Sequence, residues 1–477
     1  MKLIIVNVFW LALLSTLGLA QVPQHIEKAV SKYATDADLS DARISIVLHN
    51  LKNDQRVVEH GPSVLVAPAS TLKVITTAAA LKVLGPNYQF ATELSHTGWI
   101  EGGVLKGDLI ITGGGDPSLG SGYLDEPHQF KYVMREWVEA TRKLGITTIE
   151  GGIVADASLF GPDGVPSSWM PKDLGNYYAA GSYGINIHDN LYYLQFQQGS
   201  QEGDATRVQS LVPDVPNFKM ENQVRTGSPG SGDQAYIYSS AFQTDAYVQG
   251  TIPPGAGIFT IKGSLPDPAA FLVHHFRNAL KKAGIAALNE GTTRYDQHPQ
   301  HKATLYHTTV SPPLIQLVHI TNRESVNLYA ECIGKTMAQI TSGFPLQRFW
   351  EQTGIDVSSL HTADYSGLSQ ENAVTGRFMV DALRVIYSDE GWYEQVRNSL
   401  SIGGVDGTLK SLFKNSAARG KVYAKSGLIG GVRCYIGYLL MPNDDTYAFA
   451  VLAQGFSCSS REMSKKFEKL IDSIFEG

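Results

Sequence analysis

Cysteine is scarce in this chain: Cys332, Cys434 and Cys458 are the only three in 477 residues. An odd, small set excludes a disulfide scaffold. One pairing, Cys434 with Cys458, stays open. No two cysteines stand at metal-ligand spacing, so a thiolate zinc site is excluded too. Charge is also sparse, at 18% of residues with a formal net charge of -6. A balance that mild advertises no nucleic-acid surface. Runs of like charge, low-complexity tracts and clear short repeats are absent. His298 and His301 form HxxH, and His274 and His275 are adjacent. Neither pair has a third ligand at useful spacing, so no metal is expected.

Long apolar runs are missing beyond the first residues. "MKLIIVNVFWLALLSTLGLAQ" carries Lys2, an apolar run from Leu3 to Leu14, and then small and polar residues. Gly18 and Ala20 fit a small-residue cleavage rule, with Gln21 as first mature residue. Asn7 interrupts the run, and Ser15 and Thr16 close it short of a membrane span. Residues 1–20 therefore read as a signal peptide, and the mature chain as exported and soluble, with no stable membrane span.

What is present is a globular composition, 43% hydrophobic, at a length that suits two or three domains. "RISIVLHNLKNDQRVVEHG" predicts a hairpin turning at Asn53-Asp54. In "APASTLKVITTAAALKVLG", Leu72, Ile75, Thr76, Ala79 and Val83 recur at helical spacing, and Gly85-Pro86 closes the helix. Ser70 then stands at the helix N-terminus. From residue 87 to 299 the texture becomes Gly-, Tyr-, Ser- and Pro-rich, with helices expected near Phe130 to Leu144 and Ala269 to Ala283. Near the C-terminus, "KVYAKSGLIGG", "RCYIGYLLM" and "TYAFAVLAQ" predict three successive strands. A last helix shows one apolar face through Phe467, Leu470, Ile471, Ile474 and Phe475. Strands at both ends predict one sheet built from both termini, with 87–299 as an insertion between 21–86 and 300–477.

Three short patterns carry chemistry. Ser70 and Lys73, at i and i+3, put a hydroxyl and an amine about 5–6 Å apart at their Cβ atoms. Lysine is a base only when neutral, and it ordinarily titrates near pH ~10.4. Burial or a second cation lowers that value. In "ESVNLYAE", Ser325 and Asn327 offer a proton-relaying hydroxyl and an amide for a substrate carbonyl. In "VYAKSGLIGG", Lys425 and Ser426 offer a cation and a hydroxyl suited to a carboxylate, and Gly427 allows close backbone approach. Singly, each pattern is as well explained by a capping serine, a polar helix face or an edge-strand lysine.

Together and in this order they match the S-x-x-K, S-D-N and K-T-G set of penicillin-binding proteins and class A β-lactamases. The long stretch between Lys73 and Ser325 leaves room for a large insertion. The chain resembles the peptidase S13 family, the PBP4-type D-alanyl-D-alanine carboxypeptidases and endopeptidases. "GVLKGDLIITGGGDPSL" with Asp116 and Pro117, "DYSGLS" at Asp364 to Ser369, and "GGVDGTL" at Gly403 to Leu409 resemble family landmarks. Two departures stand out. The middle motif has Val326 where Asp is usual, and the third has Ser426 where Thr is usual.

The resemblance implies an α+β fold: a β-lactamase/transpeptidase-like antiparallel sheet flanked by helices and interrupted by a large β-rich insertion. It implies a peptidoglycan stem-peptide substrate and covalent inhibition by β-lactams, with no metal or organic cofactor. It assigns Ser70 as nucleophile and Lys73 as its base. Ser325, helped by Lys425, relays a proton to the leaving amine, and Asn327 holds the substrate amide. Ser426 meets the terminal carboxylate beside Gly427. The N–H groups of Ser70 and Leu428 form the oxyanion hole, one donor of which is typically worth about 10²–10³ in rate. "GGIVADASLFG" resembles the segment of the insertion that sends an acidic residue toward the catalytic lysines, at Asp156. A strand-end aspartate capping a turn is the competing reading of Asp156. Two other functions stay open, a β-lactam-hydrolysing relative and a penicillin-binding scaffold without turnover.

Overall fold

Strand Arg43–Asn50 is buried along almost its whole length, as is Thr446–Gln454. Such runs belong at the centre of a sheet covered on both faces. The computed structural model, which describes residues 24–296, 302–343 and 346–476, puts these two strands side by side and antiparallel. The signal segment lies outside the described residues. The full sheet is six-stranded, in the order Ser401–Ile402, Val422–Ile429, Val432–Leu440, Thr446–Gln454, Arg43–Asn50, Gln55–His60. Both ends of the chain thus build one sheet, as expected.

Period-2 alternation divides its side chains between two cores. Val47, Ala448, Ala450 and Leu452 face a helical layer that includes Leu72–Val83, Asn327–Ile340 and Gly376–Tyr387. Ile46, Leu48, Phe449, Val451 and Ala453 face Gln24–Ala34 and Ser460–Phe475. Ser459 caps the latter helix in a capping box with Glu462. Its Phe467 stacks on Tyr435 with ring centroids 3.7 Å apart. The fold is α+β, a helix-flanked antiparallel sheet.

Helix Leu72–Val83 departs from its expected amphipathic form. Every residue from Leu72 to Leu81 is buried, so the helix runs through the interior rather than along a surface. The alanines allow this by letting neighbouring elements approach from all sides.

The insertion is more than a set of β-strands. Leu109–Gly113, Ile153–Asp156 and Thr292–Arg294 pair in parallel, with helices Phe130–Lys143 and Pro268–Lys282 in the connections. Parallel pairing demands such long crossovers. Two three-stranded sheets, built on Leu191–Gln197 and on Asp245–Ile252, and a four-stranded sheet of short strands around Val104–Lys106 and Thr148–Ile149 complete it. The insertion has its own core around Trp137, Phe196, Ile237 and Phe276. The expected junction at 299–300 lies outside the described residues. Beyond it, Thr304–Val310 pairs with Ala91–His96. Cys332, Cys434 and Cys458 are all free thiols.

Candidate active site

The turn Ala69–Thr71 is a short 3-10 segment ahead of the helix, so Ser70 precedes the α-helical turns rather than opening them. Ala69 sits at φ +47, a left-handed conformation that costs a non-glycine residue ~1–3 kcal/mol. Two glycines hold this turn in place. A Cβ on Gly367 would collide with the Ala69 carbonyl. One on Gly427 would stand 2.8 Å from the Pro68 carbonyl and 3.2 Å from the Ser70 nitrogen.

Lys73, one helical turn on, is fully buried, and its amine has three hydrogen-bond partners. Its Nζ reaches Ser70 Oγ at 3.0 Å, the Ser366 carbonyl at 2.7 Å, and Asn327 Oδ1. Burial brings its pKa down to about 7, against the pull of the Asp364 and Glu331 carboxylates. Lys425 is buried as deeply. Its Nζ donates to Ser325 Oγ at 2.9 Å and to the Ser426 carbonyl at 2.8 Å. Burial, and then the Lys73 and Arg433 cations, hold it well below the usual lysine range.

Ser325 turns the chain at φ +61 just before helix Asn327–Ile340. The two polar side chains of the middle motif therefore come from a turn and from the first helical position. Val326, between them, packs against the helical core. Ser426 Oγ donates to Thr408 Oγ1 at 2.8 Å, which ties the Gly403–Leu409 landmark to the third motif. The three motifs thus converge. Ser70, Ser325, Asn327 and Leu428 all line a cleft of about 780 Å³.

Asp156 stands elsewhere. It is buried at the end of strand Ile153–Asp156 and accepts a hydrogen bond from the Ser158 backbone at 3.0 Å. That is the turn-capping arrangement, and Asp156 does not line the cleft.

The carboxylates that act on Lys73, Asp364 and Glu331, were given no role by the sequence patterns, although Asp364 opens the DYSGLS landmark. Glu331 Oε1 accepts from the backbone of Tyr365 and Ser366 at 3.1 and 2.8 Å. Burial, then Asp364, raises its pKa to about 7. Asp364 accepts from the backbones of Gly367 and Ser369 and from Trp169 and Asn372. Between them they hold the loop whose Ser366 carbonyl receives Lys73. The insertion supplies the opposite wall: Tyr123, Met170, Lys172, Tyr177 and Tyr178 line the cleft. The Tyr178 carbonyl accepts from Asn327 Nδ2 at 2.6 Å. The one signal for these in the sequence is the tyrosine-rich texture of the region.

A hydroxyl bonded to a buried amine of lowered pKa, flanked by a second amine–hydroxyl pair, defines a serine acyl-transfer enzyme of the penicillin-recognising class. Over residues 26–476 the sequence matches the model of the D-Ala-D-Ala carboxypeptidase 3 (S13) family, and the chain belongs to that family. It is 26% identical, over 88% of its length and 79% of the relative's, to a D-alanyl-D-alanine carboxypeptidase of Actinomadura sp. (strain R39). It is 25% identical, over 90% and 89%, to a D-alanyl-D-alanine carboxypeptidase of Haemophilus influenzae. The fold is shared with the crystal structure of penicillin binding protein 4 from Haemophilus influenzae. That match has a TM-score of 0.80 and 22% identity over 94% of this chain and 98% of the other. A second structure of that protein is complexed with a β-lactam.

Proposed function

We propose that the chain hydrolyses the terminal D-alanyl-D-alanine bond of peptidoglycan stem peptides outside the cytoplasm, through an acyl-enzyme on Ser70. The observation that carries this reading is the 3.0 Å contact between Ser70 Oγ and the buried Lys73 amine, whose pKa falls to about 7, at a cleft lined by Ser70, Ser325 and Asn327 with Lys425 bonded to Ser325 Oγ behind it. Ser70 Oγ attacks the carbonyl carbon and its proton passes to Lys73 Nζ. The N–H groups of Ser70 and Leu428 receive the charge that develops on the oxygen. Lys425, an amine that releases its proton readily, protonates the leaving D-alanine nitrogen through Ser325 Oγ, and the C–N bond breaks. Water then attacks the ester carbon, freeing the shortened peptide and restoring Ser70. Ser426 receives the terminal carboxylate, and Asn327 orients the substrate amide. A carboxylate arriving beside Lys425 favours its charged form, which in turn keeps Lys73 neutral.

Digestion of purified sacculi, with mass analysis of the products, tests this. Release of D-alanine, lost in Ser70→Ala, supports the reading, and separate counting of cleaved crosslinks divides carboxypeptidase from endopeptidase action. Labelled penicillin that adds no mass at Ser70 overturns it. Rapid turnover of a chromogenic cephalosporin without D-alanine release indicates a β-lactam hydrolase instead.

A further inference from the structure

His274 and His275 lacked a third ligand in sequence, and the fold supplies one. His274 Nε2 lies 3.0 Å from Asp214 Oδ2. His275 Nε2 lies 3.9 Å from Asp214 Oδ1 and 2.9 Å from the Asp214 carbonyl. The three side-chain ligand atoms all fall within 4.8 Å of one another. Ligands ~2.0–2.1 Å from a tetrahedral zinc ion stand roughly 3.3 Å apart, so the observed spacing needs little change. Neighbouring residues on a helix diverge by about 100°, and two consecutive imidazoles meeting at one carboxylate is therefore a specific arrangement.

His274 has a second polar neighbour. Its Nε2 faces the Asp214 carboxylate, an acceptor, and at 2.9 Å the Asn278 Nδ2, a donor. One ring nitrogen cannot carry a proton for the first and a lone pair for the second. A half-turn of the Asn278 amide removes the conflict, and it turns an oxygen toward the same point as the Asp214 carboxylate, where it could serve as a further ligand. His275 is walled by Phe271, with ring centroids 4.2 Å apart, and by the edge of Phe130 at 5.3 Å. Asp214 stays open to solvent, with its side chain 72% exposed, and gives an entering ion a path. His274 also borders a cavity of about 950 Å³ that shares no residue with the catalytic cleft.

We propose that His274, His275 and Asp214 form a divalent transition-metal site, of the zinc class, in the insertion. Two imidazoles and a carboxylate suit such borderline ions better than calcium or magnesium. The ion would join helix Pro268–Lys282 to the segment between strands Arg207–Val212 and Lys219–Thr226, so its role is to fasten the insertion rather than to act on substrate.

Isothermal titration of untagged, metal-stripped full-length chain with Zn²⁺ tests the site, alongside thermal unfolding with and without the ion. The expected result is one saturable equivalent and a raised Tm. Both fall away in His274→Ala and in the near-isosteric Asp214→Asn, with affinity lower by about tenfold or more. Unchanged acylation by labelled penicillin shows that each variant is folded. Absence of saturable binding by the unsubstituted chain, or equal binding by both variants, overturns the proposal.

Discussion

Lys73 and Lys425 are two buried amines facing two hydroxyls, and their protonation decides what those hydroxyls can do. Lys73 acts as a base only when neutral. Its pKa is lowered to about 7, so the neutral fraction is small below that pH and nearly complete above it. The second-order rate of acylation by a labelled penicillin is therefore expected to rise with pH through about 7, and a profile flat from pH 5 to 9 would contradict the assignment. Glu331 pulls the Lys73 value upward. Glu331→Gln keeps an acceptor for the Tyr365 and Ser366 N–H groups and drops the charge, so the same rising limb should move to lower pH. Glu331→Ala leaves the buried Ser366 donor and the half-buried Tyr365 donor without their acceptor, at ~1–3 kcal/mol for the buried one, and calorimetry should record a lower Tm together with slower acylation. A shift of the limb in Glu331→Ala but none in Glu331→Gln would mean that shape, not charge, is what Glu331 contributes.

At the scale of elements, the site depends on a strand lying directly against a turn. Strand Val422–Ile429 passes so close to Ala69–Thr71 that Gly427 has no room for a Cβ beside Pro68 and Ser70. Gly427→Ala must displace one or the other. A misplacement of about 1 Å at a reacting centre can cost 10²-fold, and a loss of that order in acylation rate is expected while circular dichroism stays native. The hairpin, the three C-terminal strands and the last helix were all legible, the strands as short β-rich runs bounded by turn residues and the helix from an apolar face repeating at period 3.6. The interior helix Leu72–Val83 was legible as a helix but not as a buried one. Its many alanines and threonines carry no strong face, and only its neighbours show that it is enclosed.

For the whole molecule, the central sheet has a core on each face, and the two are separable by experiment. Phe467 lies on the face away from the cleft, stacked on Tyr435. Phe467→Ala should cost about 3–5 kcal/mol of stability, read as a lower denaturation midpoint. Below that midpoint, acylation at Ser70 should stay close to normal. A lost acylation rate in folded Phe467→Ala would show that the two faces are coupled. The insertion enters at the same scale: it closes one wall of the cleft with Tyr123, Tyr177 and Tyr178 and bonds to Asn327 through a backbone carbonyl. A carbonyl has no signature in sequence, and the tyrosines were visible only as a compositional bias.

By itself the sequence determined the chemistry on offer, the two-ended sheet and the presence of a long insertion. Nucleophile, amine and hydroxyl are side-chain properties, and repeating patterns of burial are local. Only the tertiary structure decided the rest: that Lys73 and Lys425 are dry and close enough to oppose each other's charge, and that the Asp364 and Glu331 carboxylates stand where they act on Lys73. It alone brought Asp214 to two histidines 60 positions away. Desolvation and Coulomb forces depend on distance through space and on what surrounds a charge, and neither quantity exists until the chain has folded.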